Sequence, residues 1–265
     1  MAEHTTDDGC RLAYEVTGPA SAPVLVLSNS LGTDRTLWDR QIDRLTAHFR
    51  VLRYDARGHG ASDAPAGDYT IDRLGRDVVS LLDAEGVARA SVCGVSIGGL
   101  TALWLGIHAA DRVDRLVLAN TAARIGSTTM WEERTRLVRE GGLETLATAT
   151  MARWFTPAFI EAEPATIARM SSTISRMSPA GYLGCCAALR DADLRAAAAQ
   201  VRSPCLVVTG RVDVATPPDA GAWLAATIPG AQLVEFDAAH LSNVECAEAF
   251  TDAVLTFLLA DRAGA

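Results

Sequence analysis

Short apolar runs alternating with segments of helical period constrain this chain more than any other feature. The runs are "VLVLSN" (24–29), "RVLRYD" (50–55), "ASVCGV" (90–95), "RLVLAN" (115–120), "PCLVVTG" (204–210) and "AQLVEF" (231–236). Each is too short for a helix of its own and is bounded by Gly, Pro, Asn or Asp, which is how strands buried on both faces of a parallel sheet read. Between them lie "LWDRQIDRLTAHF" (37–49), "IDRLGRDVVSLLDAEG" (71–86), "GGLTALWLGIHAADR" (98–112) and "ECAEAFTDAVLTFLLADR" (245–262). In the second, Ile71, Leu74, Val78, Leu81 and Leu82 share one face and Gly86 is placed to end the helix. The pattern predicts an α/β fold, a mostly parallel twisted sheet with helices on both faces. "CRLAYEV" (10–16) alternates differently, as an antiparallel edge strand would.

The alternation stops between residues 124 and 200. That stretch holds no convincing strand but several helical segments, "MWEERTRLVREGGLETLATATMARWF", "EPATIARMSSTISRM", "AGYLGCCAAL" and "ADLRAAAAQV". The expected organisation is therefore a core made of residues 1–123 and 201–265, with an all-helical cap, 124–200, inserted between two strands. Open α/β sheets bind ligands beyond the carboxyl ends of their strands, so a cap there would roof the site. A chain of 265 residues that is 49% hydrophobic can bury such a core without a second independent domain.

Charge and termini narrow the partners. A formal charge of −8 argues against a nucleic-acid surface. The start, "MAEHTTDDGC", is polar and acidic, unlike a signal or transit peptide, with His4 in what reads as a tail. No apolar stretch approaches the ~18 residues of a membrane helix, so a cytoplasmic protein without membrane or nucleic-acid partners is expected. Oligomeric partners stay open. The six cysteines lack CxxC or Cys/His ligand spacing, so neither a disulfide framework nor a metal site is expected.

The chemistry concentrates around "CGVSIGG" (93–99). Gly-x-Ser-x-Gly between a predicted strand and a predicted helix is the context in which a sharp turn exposes a nucleophilic serine, Ser96. A serine hydroxyl needs a base to take its proton. Of five histidines, His48 ends a helix, His59 sits in "RGHG" and reads as a loop-holding residue, and His108 follows Ser96 on its helix. Only His240, in "AAHLSNVE", leaves a strand on the side where Ser96 would be exposed. The carboxylate that would orient it is Asp213 in "TGRVDVATPP"; Asp237 directly ends its strand and reads as a turn or surface residue. The chain order Ser96, Asp213, His240 is that of α/β-hydrolases. Candidate oxyanion donors are the backbone N–H of Ile97 and, from the loop "LSNSLGT" (27–33), that of Leu31.

Through "YDARGHGASD" (54–63), "GVSIGG", "GRVD" and "AAHLSNVE" the chain resembles the α/β-hydrolase superfamily over nearly its whole length. Through "SNSLGT", "ARWFTPAF" (152–159) and "GYLGCCAALRDADL" (181–194) it is similar, more narrowly, to the 3-oxoadipate enol-lactonases of bacterial aromatic catabolism. Asn29-Ser30 stand where many superfamily members carry His-Gly, which leaves the conformation of the Leu31 loop less defined. The resemblance implies hydrolysis of an anionic enol-lactone to 3-oxoadipate by a Ser-His-Asp triad and acyl-enzyme, with no metal or organic cofactor. A general carboxylesterase or carbon–carbon bond hydrolase is the competing enzyme, and a non-catalytic small-molecule receptor the competing class. A carboxylate-bearing substrate implies a cation on the cap. Arg134 is the candidate because it shares a helical face with Trp131, an aromatic wall, whereas Arg136 should point elsewhere. Trp154 in "RWFTP" is a second candidate wall, with core packing as its competing role.

Overall fold

The computed structural model describes residues 1–260. Its eight strands form one sheet in the order β1-β2-β4-β3-β5-β6-β7-β8. These are β1 (Ala2–Thr5), β2 (Arg11–Thr17), β3 (Val24–Ser28), β4 (Arg50–Tyr54), β5 (Ala90–Val95), β6 (Val113–Ala119), β7 (Cys205–Gly210) and β8 (Gln232–Phe236). From β4 to β8 all neighbours pair in parallel, and every residue of β5 and β7 is buried, as the continuous apolar runs require.

Helices α1 (Asp39–Thr46), α2 (Ile71–Ala84), α3 (Ile97–His108), α9 (Pro218–Thr227) and α11 (Ala247–Leu259) flank the sheet. In α2 the Thr70 hydroxyl accepts the Arg73 N–H at 3.1 Å, Gly86 takes a φ of +64°, and the five apolar residues of the predicted face are buried. Between β6 and β7 come α4 (Thr128–Gly141), α5 (Glu144–Trp154), α6 (Pro157–Ala162), α7 (Pro164–Ser175) and α8 (Pro179–Asp191). Proline opens α6, α7 and α8, where its missing N–H has no intrahelical partner to lose. Gly58 and Gly181 meet so closely that a Cβ on Gly181 would stand 2.3 Å from the Gly58 Cα, which seats the start of α8 on the "RGHG" turn.

Three expectations need correction. β2 is antiparallel but not the edge; β1 covers it, and His4 belongs to that strand, its Nε2 2.7 Å from the Ser80 hydroxyl. β1 escapes the pattern because it is mostly exposed and has no apolar face to alternate. "ADLRAAAAQV" forms only a 3-10 turn at Ala198–Gln200, and the Leu194 N–H donates to the Ala123 carbonyl at 2.8 Å. High alanine propensity is overridden there by the tertiary setting. The last helical segment is broken at Cys246 into α10 (Ser242–Glu245) and α11, and the expected end at Asp261-Arg262 lies outside the described residues. All six cysteines are free thiols, and burial pushes the Cys93 thiol well above its ordinary value.

Candidate active site

Ser96 joins β5 to α3 with φ +60° and ψ −121°, a conformation that costs an ordinary residue roughly 1–3 kcal/mol. The turn closes only because its flanks lack side chains: a Cβ on Gly94 would stand 2.1 Å from the Gly98 carbonyl oxygen, and one on Gly98 2.2 Å from that of Ser28. The Ser96 N–H donates to Ala119 O at 3.0 Å and the Thr121 hydroxyl donates to Ser96 O at 2.7 Å. Ile97 is the first residue of α3, so its N–H has no intrahelical acceptor.

His240 lies in the loop between β8 and α10, buried, with Nδ1 2.8 Å from Asp213 Oδ2. A proton on Nδ1 shared with the carboxylate leaves Nε2 as the ring's acceptor. Asp213 is held by four further donors: the Ala215 and Thr216 amides at 2.8 and 2.9 Å, the Thr216 hydroxyl at 2.7 Å and Asn120 Nδ2 at 3.1 Å. Burial pushes its carboxyl up, but His240 and the Thr216 donors outweigh burial and hold it below the ordinary carboxylate value. Asn120 follows β6 with φ +44° and also donates to Ala239 O at 3.2 Å, linking the Asp213 loop to the His240 loop. Asp237 is exposed and pairs with Arg211, as its reading predicts.

The loop after β3 is anchored at each end. Asn29 donates to Tyr54 O at 2.7 Å and accepts from Trp38 Nε1 at 2.9 Å. Gly32, at φ +86°, donates its N–H to His59 Nε2 at 3.1 Å, while His59 Nδ1 lies 3.1 Å from Arg57 O. Both contacts suit one neutral tautomer, protonated on Nδ1, and burial holds the ring below the ordinary histidine value. Arg57 is fixed in turn by two bonds to buried Asp77, at 2.6 and 2.7 Å.

Ser96, His240, Ser30 and Leu31 line one cavity with residues of the inserted helices. Trp131, Arg134 and Trp154 all reach it, so the face shared by Trp131 and Arg134 points where the spacing predicts. Arg134 donates Nε to the Tyr182 hydroxyl at 2.8 Å and Nη2 to the Thr150 hydroxyl at 3.0 Å, neutral partners that leave its charge uncancelled. Arg136 instead pairs with Glu133 and Glu140 on the outside. His59 holds the loop by hydrogen bonds, as its place in "RGHG" predicts, whereas sequence reasoning missed Asn120, Thr216, Tyr182 and Arg153, which also lines the cavity. Only Thr216 left a signal, a hydroxyl three residues after Asp213 in a turn. Among the described residues no group of three or more His, Cys, Asp or Glu could hold a metal ion, and no helix is long and apolar enough to cross a membrane.

Fold and site together define the class: the chain belongs to the α/β-hydrolase family, whose fold matches residues 23–246. Within it the chain falls with the 3-oxoadipate enol-lactonases and is an enzyme, a hydrolase. It is 43% identical to 3-oxoadipate enol-lactonase 2 of Acinetobacter baylyi over 92% of this chain and 91% of that one. The solved enol-lactonase of Burkholderia xenovorans LB400 superposes with a TM-score of 0.95 at 46% identity, covering 97% of this chain and 99% of that one. A thermophilic esterase from Thermogutta terrifontis superposes at 0.90 with 29% identity, covering 97% of each.

Proposed function

We propose that the chain opens 3-oxoadipate enol-lactone with water to give 3-oxoadipate, in the breakdown of aromatic compounds in the cytoplasm. The observation that carries this reading is one cavity lined by Ser96, by an Asp213-bonded His240 and by a cation, Arg134, that among the described residues no carboxylate neutralises. Helices α4 to α8 act as the cap of the expected organisation, closing residues 124–200 over the core.

In the first half-reaction Ser96 Oγ attacks the lactone carbonyl and His240 Nε2 takes its proton. The oxyanion rests on the Leu31 and Ile97 amides. Collapse of the tetrahedral intermediate breaks the ring C–O bond and expels an enolate, which takes the proton from His240 and tautomerises to the ketone. An enolate leaves more readily than an alkoxide, so ring opening is the easier half. Water, losing a proton to His240, then attacks the acyl-Ser96 carbonyl and releases the new carboxylate with the serine hydroxyl restored. Arg134 holds the carboxylate already present on the substrate, and Trp131 and Trp154 wall the ring. No metal or organic cofactor enters these steps, and the small anionic lactone is the only partner they need.

A general carboxylesterase is the second reading, favoured by the likeness to the Thermogutta esterase. Turnover of the enol-lactone beside p-nitrophenyl acetate tests the two. Strong preference for the lactone is expected; comparable slow turnover of both would establish the esterase, and binding without turnover a receptor.

A further inference from the structure

Arg153 sits on α5 one residue before Trp154, half-buried, and lines the same cavity as Ser96, His240 and Arg134. Among the described residues its guanidinium has no hydrogen bond and no ion pair. Among the described residues no Asp or Glu lines the cavity, although the chain as a whole carries a charge of −8. Two cations share a walled space, where like charges repel more strongly than in water.

The neutral groups around them add donors rather than acceptors. The Tyr182 and Thr150 hydroxyls both spend an oxygen lone pair on Arg134, so each keeps its own O–H for another acceptor. The Tyr182 phenol is pushed up to about 12 by burial, even though Arg134 and Arg153 both pull it down, so it remains a protonated donor near both guanidiniums. Donors from α4, α5 and α8 thus face a cavity that supplies no negative charge.

We infer that Arg153 is a second substrate-binding cation, which with Arg134 binds the carboxylate arm of an ester or lactone and the dicarboxylate formed from it. This rests on the proposed hydrolase reading and names its substrate class. The two arginines differ in kind. Arg134 is pinned by two hydroxyls and presents a fixed direction, while Arg153 is unpinned and can follow an arriving carboxylate. The arm carries the same charge before and after bond breaking, so Arg153 binds ground state and transition state alike and acts on KM more than on kcat.

The test is steady-state kinetics of Arg153→Gln and Arg153→Lys. Arg153→Gln should raise KM for the enol-lactone about tenfold, leave kcat within about twofold, and Arg153→Lys should recover part of the loss. Hydrolysis of neutral p-nitrophenyl acetate should fall by less than about twofold. Adipate, a dicarboxylate with nothing to hydrolyse, should inhibit p-nitrophenyl acetate turnover by the wild type, with an inhibition constant about tenfold weaker in Arg153→Gln. If the wild type ignores the enol-lactone yet adipate inhibits it through Arg153, the lactone reading falls and the anion site stands. An unchanged KM together with an unchanged adipate constant overturns the inference. So does an equal loss on neutral and anionic substrates, which would make Arg153 a prop for α5.

Discussion

The cavity has two walls built on opposite principles. On the sheet side the groups that orient the base and the loop are held by hydrogen bonds: Asp213 accepts five, and the Leu31 loop is held through Asn29 and through Gly32 on His59. On the helical side Arg134 leans on neutral hydroxyls and, among the described residues, Arg153 on nothing charged. A saturated network fixes positions to within a hydrogen bond's tolerance, which bond making needs. Unsatisfied charges instead wait for an opposite charge to arrive, which selection of a substrate needs. The difference teaches that damage to one wall should strike rate on all substrates, and damage to the other should strike one class of substrate.

The strongest way to break that contrast is at the nucleophile. Ser96→Ala should lower kcat at least ~10³-fold on lactone and neutral ester alike with the fold intact, and a fluorophosphonate should label Ser96 stoichiometrically. Retention of a tenth of the activity, or a label elsewhere, would sink the assignment. Next in size, Asp213→Asn should lower kcat on both substrates by a smaller factor than loss of the serine, with KM little changed, because it loses charge and tautomer control but no cavity wall. A silent Asp213→Asn beside a crippling Asp237→Asn would move the acid.

Smaller effects sharpen the contrast from the other wall. A charge-assisted hydrogen bond is worth roughly 1.5–3 kcal/mol, so Arg134→Ala should lower kcat/KM for the anionic lactone about ten- to a hundredfold and barely touch p-nitrophenyl acetate. Equal losses would show that Arg134 ties α4 to α5 and α8 and does no more. The smallest effect belongs to His59. Its ring is neutral when folded and its folded value lies below the ordinary histidine value of ~6.5, so its contribution to stability is complete above that pH and is lost as the pH falls below it. Thermal melts between pH 8 and pH 5 should show an acid-side decline that is shallower in His59→Gln; parallel declines would remove His59 from the account.

Sequence showed the sheet-side positions because local geometry constrains them. A glycine-flanked serine, an aspartate and a histidine each follow a strand, and parallel strands end on the same side. Asn120 and Thr216 were illegible because their meaning arises only where the ends of β6, β7 and β8 converge on Asp213. For the helices, spacing showed that Trp131 and Arg134 share a face but could not show how α5 is rotated against α4, which decides that Arg153 reaches the cavity. β1 was lost for want of an apolar side, and the alanines before β7 misled because propensity is a weak guide that tertiary context overrides.

The glycines beside Ser96 bear on how such an enzyme can change. What a side chain at 94 or 98 would strike is main chain, which has no rotamer to turn aside. The elbow is thus a socket of fixed bore: its occupant can be exchanged for another nucleophile of similar size, but its rim cannot be remodelled one residue at a time. The opposite wall meets the cavity with side chains such as Arg134 and Arg153. New substrates are therefore open to this scaffold through many single substitutions, and new covalent chemistry through one.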